Sequence, residues 1–160
     1  ELDPAIHAAE AANELVVKRT YHFGIGVATD AGLTVVVVHD VDKRSIRDIS
    51  TELKRLSADA RAGKSKIEDV QGSTFTITSL GAQGGVLATP VLNYPEVAIL
   101  GIHKIKEQPV VRGGQIVIRK MMNVSGTFDH RMIDGHVGAA FIYEVIQYLE
   151  DPNLLFVEMV

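Results

Sequence analysis

The chain contains no cysteine. Disulfides and thiolate metal sites are therefore excluded, and so is an acyl group carried on a cysteine of this chain. The absence suits a reducing compartment. An excess of charge of one sign is missing too. Lys and Arg number 16 against 20 Asp and Glu, a net charge of -4 with no basic run, which leaves a nucleic-acid role without support. No apolar stretch approaches the ~20 residues of a membrane-spanning helix, so no membrane role is expected. No signal peptide opens the chain, and it starts at Glu1 rather than Met. From this we expect an excised or processed piece of something longer.

What is present reads as one folded domain, residues 1–160. The length suffices for a sizeable core, and 46% hydrophobic with 22% charged residues argues against disorder. Pro4 is a candidate helix start in an Ala-rich opening. The runs 14–22, 23–29 and 33–38 are rich in β-branched and aromatic residues and are expected to form a three-stranded meander. Val35 to Val38 is apolar on both faces, so that strand should be buried on both sides. Asp42 or Ser45 can cap a helix to about Ala62, with Ile46, Ile49, Leu53, Leu56 and Ala60 on one stripe and Gly63 as its end. Gly63-Lys64-Ser65 is not a phosphate-binding loop, because a helix rather than a strand precedes it and the first glycine is missing.

Phe75 to Ser79 alternates strictly. Phe75 and Ile77 face one way, while Thr74, Thr76 and Thr78 face the other. Such a hydroxyl face is either plain β-propensity or the side of a site, and the second reading needs only Thr78. Leu80 to Gly85 is irregular and glycine-rich. Val97 to Ile105 and Ile116 to Phe128 read as long strands, with Arg112-Gly113-Gly114 as a hairpin turn. A last helix starts near Asp134, with Val137, Ala140, Phe141, Val145 and Leu149 as its buried stripe and Asp151-Pro152 as its end. The tail, Leu154 to Val160, is apolar and is expected to be covered by another subunit.

The densest chemistry lies in Phe128-Asp129-His130-Arg131-Met132-Ile133-Asp134-Gly135. A histidine, two carboxylates and an arginine stand between a strand and a helix, as a catalytic base held by charged neighbours requires. On spacing alone His130 is also compatible with a plain hydrogen-bonded turn. His130, Asp134 and His136 form a rival metal-ligand set, set aside because the chain has no second cluster with ligand spacing. His7, His22, His39 and His103 are scattered and read as structural or surface residues.

Asp129-His130-Arg131-Met132-Ile133-Asp134-Gly135 resembles the signature of the catalytic domain of dihydrolipoamide acyltransferases, the core subunits of 2-oxo acid dehydrogenase complexes. Three further stretches are similar to that family and occur in its order: Gly24 to Asp40, Gly72 to Gly81, and Thr89 to Gly101. The match runs from about Asn13 to the C-terminus. One departure is Val36, where the family usually has proline.

The resemblance implies an α/β (α+β) fold, a chloramphenicol acetyltransferase-like mixed β-sheet flanked by helices, N-terminally truncated relative to the family. It implies acyl transfer between dihydrolipoamide and coenzyme A, with coenzyme A as substrate, lipoamide supplied by a separate lipoyl domain and no metal. His130 would be the base, Thr78 the hydroxyl that binds the oxyanion, and Asp134 a residue that holds local geometry or orients the imidazole. Ser79 and Gly81 would line the substrate channel. Asp129, Arg131 and Gly135 would be structural, the first two as an ion pair locking the turn.

It further implies a homotrimer with His130 of one subunit facing Thr78 of the next, and a larger cubic or dodecahedral core assembled through the C-terminus. Its partners would be the dehydrogenase and lipoamide dehydrogenase subunits, in the bacterial cytoplasm or the mitochondrial matrix. The segment Leu80 to Gly85 favours acetyl over branched-chain or succinyl transfer. A small-molecule, antibiotic-type acetyltransferase and a non-catalytic assembly scaffold are the alternatives.

Overall fold

The computed structural model describes residues 8–11, 14–81 and 84–158. The Pro4 helix start, Ala82 and Gln83 of the glycine-rich loop, and Met159 and Val160 of the tail lie outside them. The chain opens with a two-stranded antiparallel pair, β1 (Ala8–Ala11) and β2 (Glu14–Val17). Next, β3 (Phe23–Thr29) and β4 (Gly32–Val38) form a hairpin. The expected meander is thus corrected. Strand β2 ends at Val17 and pairs with β1, so β3 is left to pair with β4 on one side and β5 (Phe75–Ser79) on the other.

The main sheet has five strands in the order β4-β3-β5-β6-β9, where β6 is Ala98–Ile102 and β9 is Val124–Phe128. Its centre, β3-β5-β6, is parallel, and both outer pairs are antiparallel. Val36, Val37 and Val38 are buried, as a run apolar on both faces requires.

The long strand expected over 116–128 is two strands in two sheets. Residues Gln115–Met121 form β8, paired with β7 (Lys106–Arg112) in a projecting hairpin, and only the residues after Asn123 join the main sheet. Gly113 and Gly114 both take the positive φ of a tight hairpin turn, which commits β8 to β7. Alternating apolar residues do not reveal that the pairing partner changes at Met122-Asn123.

Helix α1 (Ile46–Arg61) starts where Ser45 Oγ accepts the Asp48 N–H and ends in a Schellman turn, Gly63 N–H to Ala60 O and Lys64 N–H to Asp59 O. Leu56 and Ala60 are buried and Ile49 and Leu53 half-buried, but Ile46 is 81% exposed. Ile46 sits in the first turn and overhangs an apolar groove shared with Tyr21, Val41 and Leu149. Helix α2 (Gly135–Glu150) packs on β9 through Val137, Gly138, Phe141, Ile142 and Val145. Ala140 and Leu149, expected in that stripe, are exposed. Gly138 takes the inner position because a Cβ there would stand 2.8 Å from the Phe128 ring. A short helix α3 (Leu154–Glu158) follows. Among the described residues no helix is long and apolar enough to cross a membrane.

The two faces of the sheet differ in chemistry. Register places Ile25, Val36, Ile77 and Leu100 on one face, where α1 and α2 bury them. The opposite face carries Gly24, Gly26, Thr76, Thr78, Gly101, Ser125 and Thr127. Loop 84–95 covers this second face without strand pairing. Asn123 Nδ2, Ser125 Oγ and Thr127 Oγ1 donate to the carbonyls of Val86, Ala88 and Pro90 at 2.8, 2.8 and 2.7 Å. Every second side chain of this stretch thus holds every second residue of the loop.

Candidate active site

Three threonines share the hydroxyl face of β5 and its approach, and the structure separates them. Thr74 Oγ1 accepts the His22 N–H at 3.1 Å and lies 3.2 Å from the His22 carbonyl. Thr76 Oγ1 accepts from Asn93 Nδ2 at 3.2 Å. Both are buried. Among the described residues the hydroxyl of Thr78 has no hydrogen-bond partner. It faces a cavity of about 260 Å³ walled by Leu33, Leu80, Pro90, Val91, Ile99 and Ile102. A hydroxyl held on a strand and left uncommitted at a cavity is available to a ligand.

His103, expected as a structural or surface residue, closes the same cavity. Ser125 Oγ spends its proton on the Ala88 carbonyl, so the 2.8 Å contact between His103 Nε2 and Ser125 Oγ runs from the imidazole N–H to the hydroxyl. His103 is 7% exposed and its Nδ1 is buried without a partner. A Cβ on Gly101 would stand 2.7 Å from Ser125 Oγ and 3.4 Å from His103 Nε2, so only glycine admits this pair. The local signal is the spacing Gly101-x-His103, which carries the alternation of β6 one residue beyond its end and turns both residues to the threonine side. Ser79 and Gly81 border the cavity system at His103, and Ser79 Oγ accepts the Gly81 N–H at 3.1 Å.

The His130 turn is built from Asp129. The Asp129 N–H reaches the Val97 carbonyl at 2.8 Å, and the Asp129 carbonyl accepts the N–H groups of Met132 and Ile133. Ile133, 2% exposed, anchors the turn in the core. The Asp129 carboxylate takes the Arg131 backbone N–H and Nε–H at 3.0 Å each, and Arg131 Nη2 at 2.6 Å. The side-chain hydrogen bonds of Arg131, then its backbone N–H, hold the Asp129 carboxyl below the usual carboxylate range. This is the locking ion pair expected from the sequence.

His130 itself is exposed. Asp134 is the N-cap residue of α2, but its side chain caps nothing. Among the described residues neither its carboxylate nor the imidazole has a hydrogen-bond partner. Gly135 lies beneath the ring, with room for a Cβ 3.9 Å from His130 Nε2. His136 is exposed on the first turn of α2, and among the described residues no group of three or more His, Asp or Glu converges.

The chain does not bring His130 to Thr78. Thr78 pairs with Gly101, and Gly101 with Ser125. From that row β9 runs on through Phe128 to the His130 turn, five residues away, at ~3.3 Å per residue. The imidazole and the hydroxyl therefore stand at opposite ends of the sheet, on the order of 10–15 Å apart along the strands.

Residues 4–157 match the family described as 2-oxoacid dehydrogenases acyltransferase (catalytic domain). The lipoamide acyltransferase component of the branched-chain alpha-keto acid dehydrogenase complex of Pseudomonas aeruginosa is 48% identical over 137 residues, covering 86% of this chain and 32% of that protein. The succinyltransferase component of the 2-oxoglutarate dehydrogenase complex of Bartonella vinsonii is 43% identical over 156 residues, 98% of this chain and 38% of that protein. The acetyltransferase component of the pyruvate dehydrogenase complex of Staphylococcus epidermidis is 43% identical over 157 residues, 97% and 36%. The chain thus spans about a third to two fifths of the length of the curated relatives it matches.

Among solved structures, Azotobacter vinelandii dihydrolipoamide acetyltransferase superposes with a TM-score of 0.91 at 36% identity, covering 96% of this chain and 64% of that one. That work concerns the roles in catalysis of a serine, a histidine fifty-two positions later and an asparagine four beyond it. The cubic core of a pyruvate dehydrogenase multienzyme complex matches equally, with a TM-score of 0.91. A chloramphenicol acetyltransferase, TM-score 0.56 at 16% identity, shares the fold.

Proposed function

The chain belongs to the catalytic-domain family of the 2-oxoacid dehydrogenase acyltransferases, and on that premise we propose that it moves an acyl group between dihydrolipoamide and coenzyme A. The observation that carries the reading is the uncommitted hydroxyl of Thr78 at the cavity, beside two threonines whose hydroxyls are tied into the fold. Thr78, His130 and Asp134 also follow one another at the spacing of the serine, histidine and asparagine studied in the Azotobacter enzyme.

In this reading His130 takes the proton of the attacking thiol as its sulfur adds to the thioester carbonyl. The Thr78 hydroxyl donates to the oxyanion of the tetrahedral intermediate. The intermediate collapses with cleavage of the old C–S bond, and the imidazolium returns its proton to the departing thiolate. Base assistance of this kind is worth about 10²–10⁴-fold, and one oxyanion donor about 10²–10³-fold. Asp134, at the start of α2, orients the imidazole once the site is assembled.

The distance between His130 and Thr78 in one chain supports a site shared between copies, with the imidazole of one facing the hydroxyl of the next. Exposed apolar residues support such assembly. Val111, Ile116 and Ile118 share one face of the β7–β8 hairpin, and Phe156 and Val157 stand out on α3. We assign these surfaces to further copies of the chain in a trimer and a larger core. The dehydrogenase and lipoamide dehydrogenase subunits would be its partners, in the bacterial cytoplasm or the mitochondrial matrix.

Beside Thr78, Ser79, Thr89 and His103 the cavity is walled by aliphatic side chains, and among the described residues no lysine or arginine lines it. This favours an uncharged acyl group over succinyl. Acetyl is the group favoured by the Leu80 to Gly85 segment, and a branched four- or five-carbon group also has room. The test is transfer from acetyl-, isobutyryl- and succinyl-coenzyme A to free dihydrolipoamide by the chain and its His130→Ala variant. Loss of about two or more orders of magnitude in the variant is expected, with succinyl the slowest donor. Transfer that survives in the variant would sink His130 as the base.

A further inference from the structure

Besides Leu33 of β4, three segments wall the Thr78 cavity: the end of β5 with Leu80, loop residues Ala88 to Val91, and Ile99 to His103 on and just beyond β6. Followed along the chain, the first and third backward and the loop forward, all three lead to one buried carboxyl group. Thr76 lies two residues before Thr78, Asn93 two after Val91, and Glu96 three before Ile99. Asn93 Nδ2 lies 3.1 Å from Glu96 Oε1, 3.2 Å from Thr76 Oγ1 and 3.5 Å from Ser73 Oγ. The hydroxyls of Ser73 and Thr76 stand near the same carboxyl and favour its charged form. The backbone closes the same knot, with the Glu96 N–H donating to the Asn93 carbonyl at 2.9 Å. Opposite it, a Cβ on Gly24 would come within 2.6 Å of Thr76 Oγ1, so β3 is cut back to make room.

We propose that Glu96 is a positioning residue of the acyl-transfer site. Through Asn93 and Thr76 its carboxyl group sets the Thr78 hydroxyl, the 89–91 wall and the start of β6 in one fixed arrangement. The inference rests on the acyltransferase reading and deepens it.

Glu96 touches no part of the cavity itself, and its side chain is 5% exposed. Among the described residues no lysine or arginine is ion-paired with it, and its Oε2 has no partner. Lys18 and Tyr94 line the solvent cavity on its outer side, and among the described residues no other titratable side chain lines that space. Burial pushes the carboxyl above its ordinary range, against the hydrogen bonds from Ser73, Thr76 and Asn93. With no cation beside it among the described residues, the carboxyl serves this knot through its shape and its hydrogen bond with Asn93 rather than through an ion pair. An amide of the same shape should therefore replace it, and a methyl should not.

The experiment compares the wild type with Glu96→Gln, Glu96→Ala and Asn93→Ala. It reads kcat and KM for acetyl- and isobutyryl-coenzyme A at a temperature where far-UV circular dichroism shows each protein fully folded. Glu96→Gln should stay within about threefold of the wild type in kcat and keep its acyl preference. Glu96→Ala and Asn93→Ala should lose about tenfold or more in kcat, because sub-ångström misplacement of a reacting group is felt steeply. They should also change the ratio of acetyl to isobutyryl turnover, which a mere loss of stability would leave alone. Asn93→Ala carries the test if Glu96→Ala does not fold. Folded alanine variants with wild-type kcat and preference would overturn the inference alone. So would a Glu96→Gln protein as damaged as Glu96→Ala, since charge rather than shape would then matter. A wild type that transfers no acyl group would defeat the acyltransferase reading first, and this inference with it.

Discussion

The hydroxyl of Thr78 lies over Gly26. A Cβ built on that glycine would stand 3.0 Å from Thr78 Oγ1 and 3.6 Å from the Leu33 side chain. Strand β3 is thus bare where β5 raises its hydroxyl, and the absence of a side chain on one strand makes the position of the other's possible. The same arrangement recurs at Gly24 beneath Thr76 and at Gly101 beneath Ser125.

Thr78 carries no structural hydrogen bond among the described residues, so its hydroxyl can be removed without unpairing a partner. Thr78→Val, which keeps the shape, should leave the free energy of urea unfolding within about 0.5 kcal/mol of the wild type. The same change should lower kcat by about 10²–10³-fold with little change in KM, the mark of an interaction made in the transition state. Steady-state kinetics beside urea unfolding checks both halves.

Asp129 and Arg131 predict an acid dependence of known sign. The Asp129 carboxyl is held below its ordinary range by Arg131. Its contribution is therefore present above the unfolded value near ~3.9 and is lost as pH falls through the lower folded value. The Arg131 head is largely exposed, so solvent limits the pair to about 1 kcal/mol or less. Asp129→Asn should be less stable than the wild type at neutral pH, and the two should converge at the acid end. Urea unfolding at a series of pH values reads this directly.

Gly138 sets the tilt of α2 against Phe128. Alanine there gains about 1 kcal/mol of helix propensity. Its Cβ, however, would meet the Phe128 ring at 2.8 and 2.9 Å, and overpacking of a core usually costs about 1–3 kcal/mol. The steric effect should win, making Gly138→Ala a net destabilising change. Because Phe128 leads directly into the His130 turn, kcat should fall as well. Guanidinium denaturation and kinetics on the same preparation test the pair of effects.

The opposite-end placement of His130 and Thr78 predicts complementation between inactive copies. His130→Ala and Thr78→Ala chains, each inactive alone, should regain activity when unfolded, mixed in equal amounts and refolded together. Random assembly in a closed oligomer would restore about a quarter of the wild-type sites. Activity that stays at the level of the separate variants would show that both groups act within one chain.

Several elements were legible in the sequence because their causes are local. Ser45 caps α1 through a residue three positions away, Gly113-Gly114 forces a tight hairpin by its own backbone freedom, and the alternation from Thr74 to Ser79 says which side chains share a face. The Asp129-x-Arg131 pair is equally local, and the turn that presents His130 could be read from six adjacent residues. The tertiary structure decided what depends on distant partners. It divides 116–128 between two sheets, because pairing is chosen by β6 and β7 and not by the alternation within the segment. It tells Thr78 from Thr74 and Thr76, since only contacts with His22 and Asn93 show which hydroxyls are already committed. It brings His103 to the cavity through Ser125, twenty-two residues away. Periodicity and turn chemistry are written in neighbouring residues, whereas burial and hydrogen-bond satisfaction are properties of the packed chain.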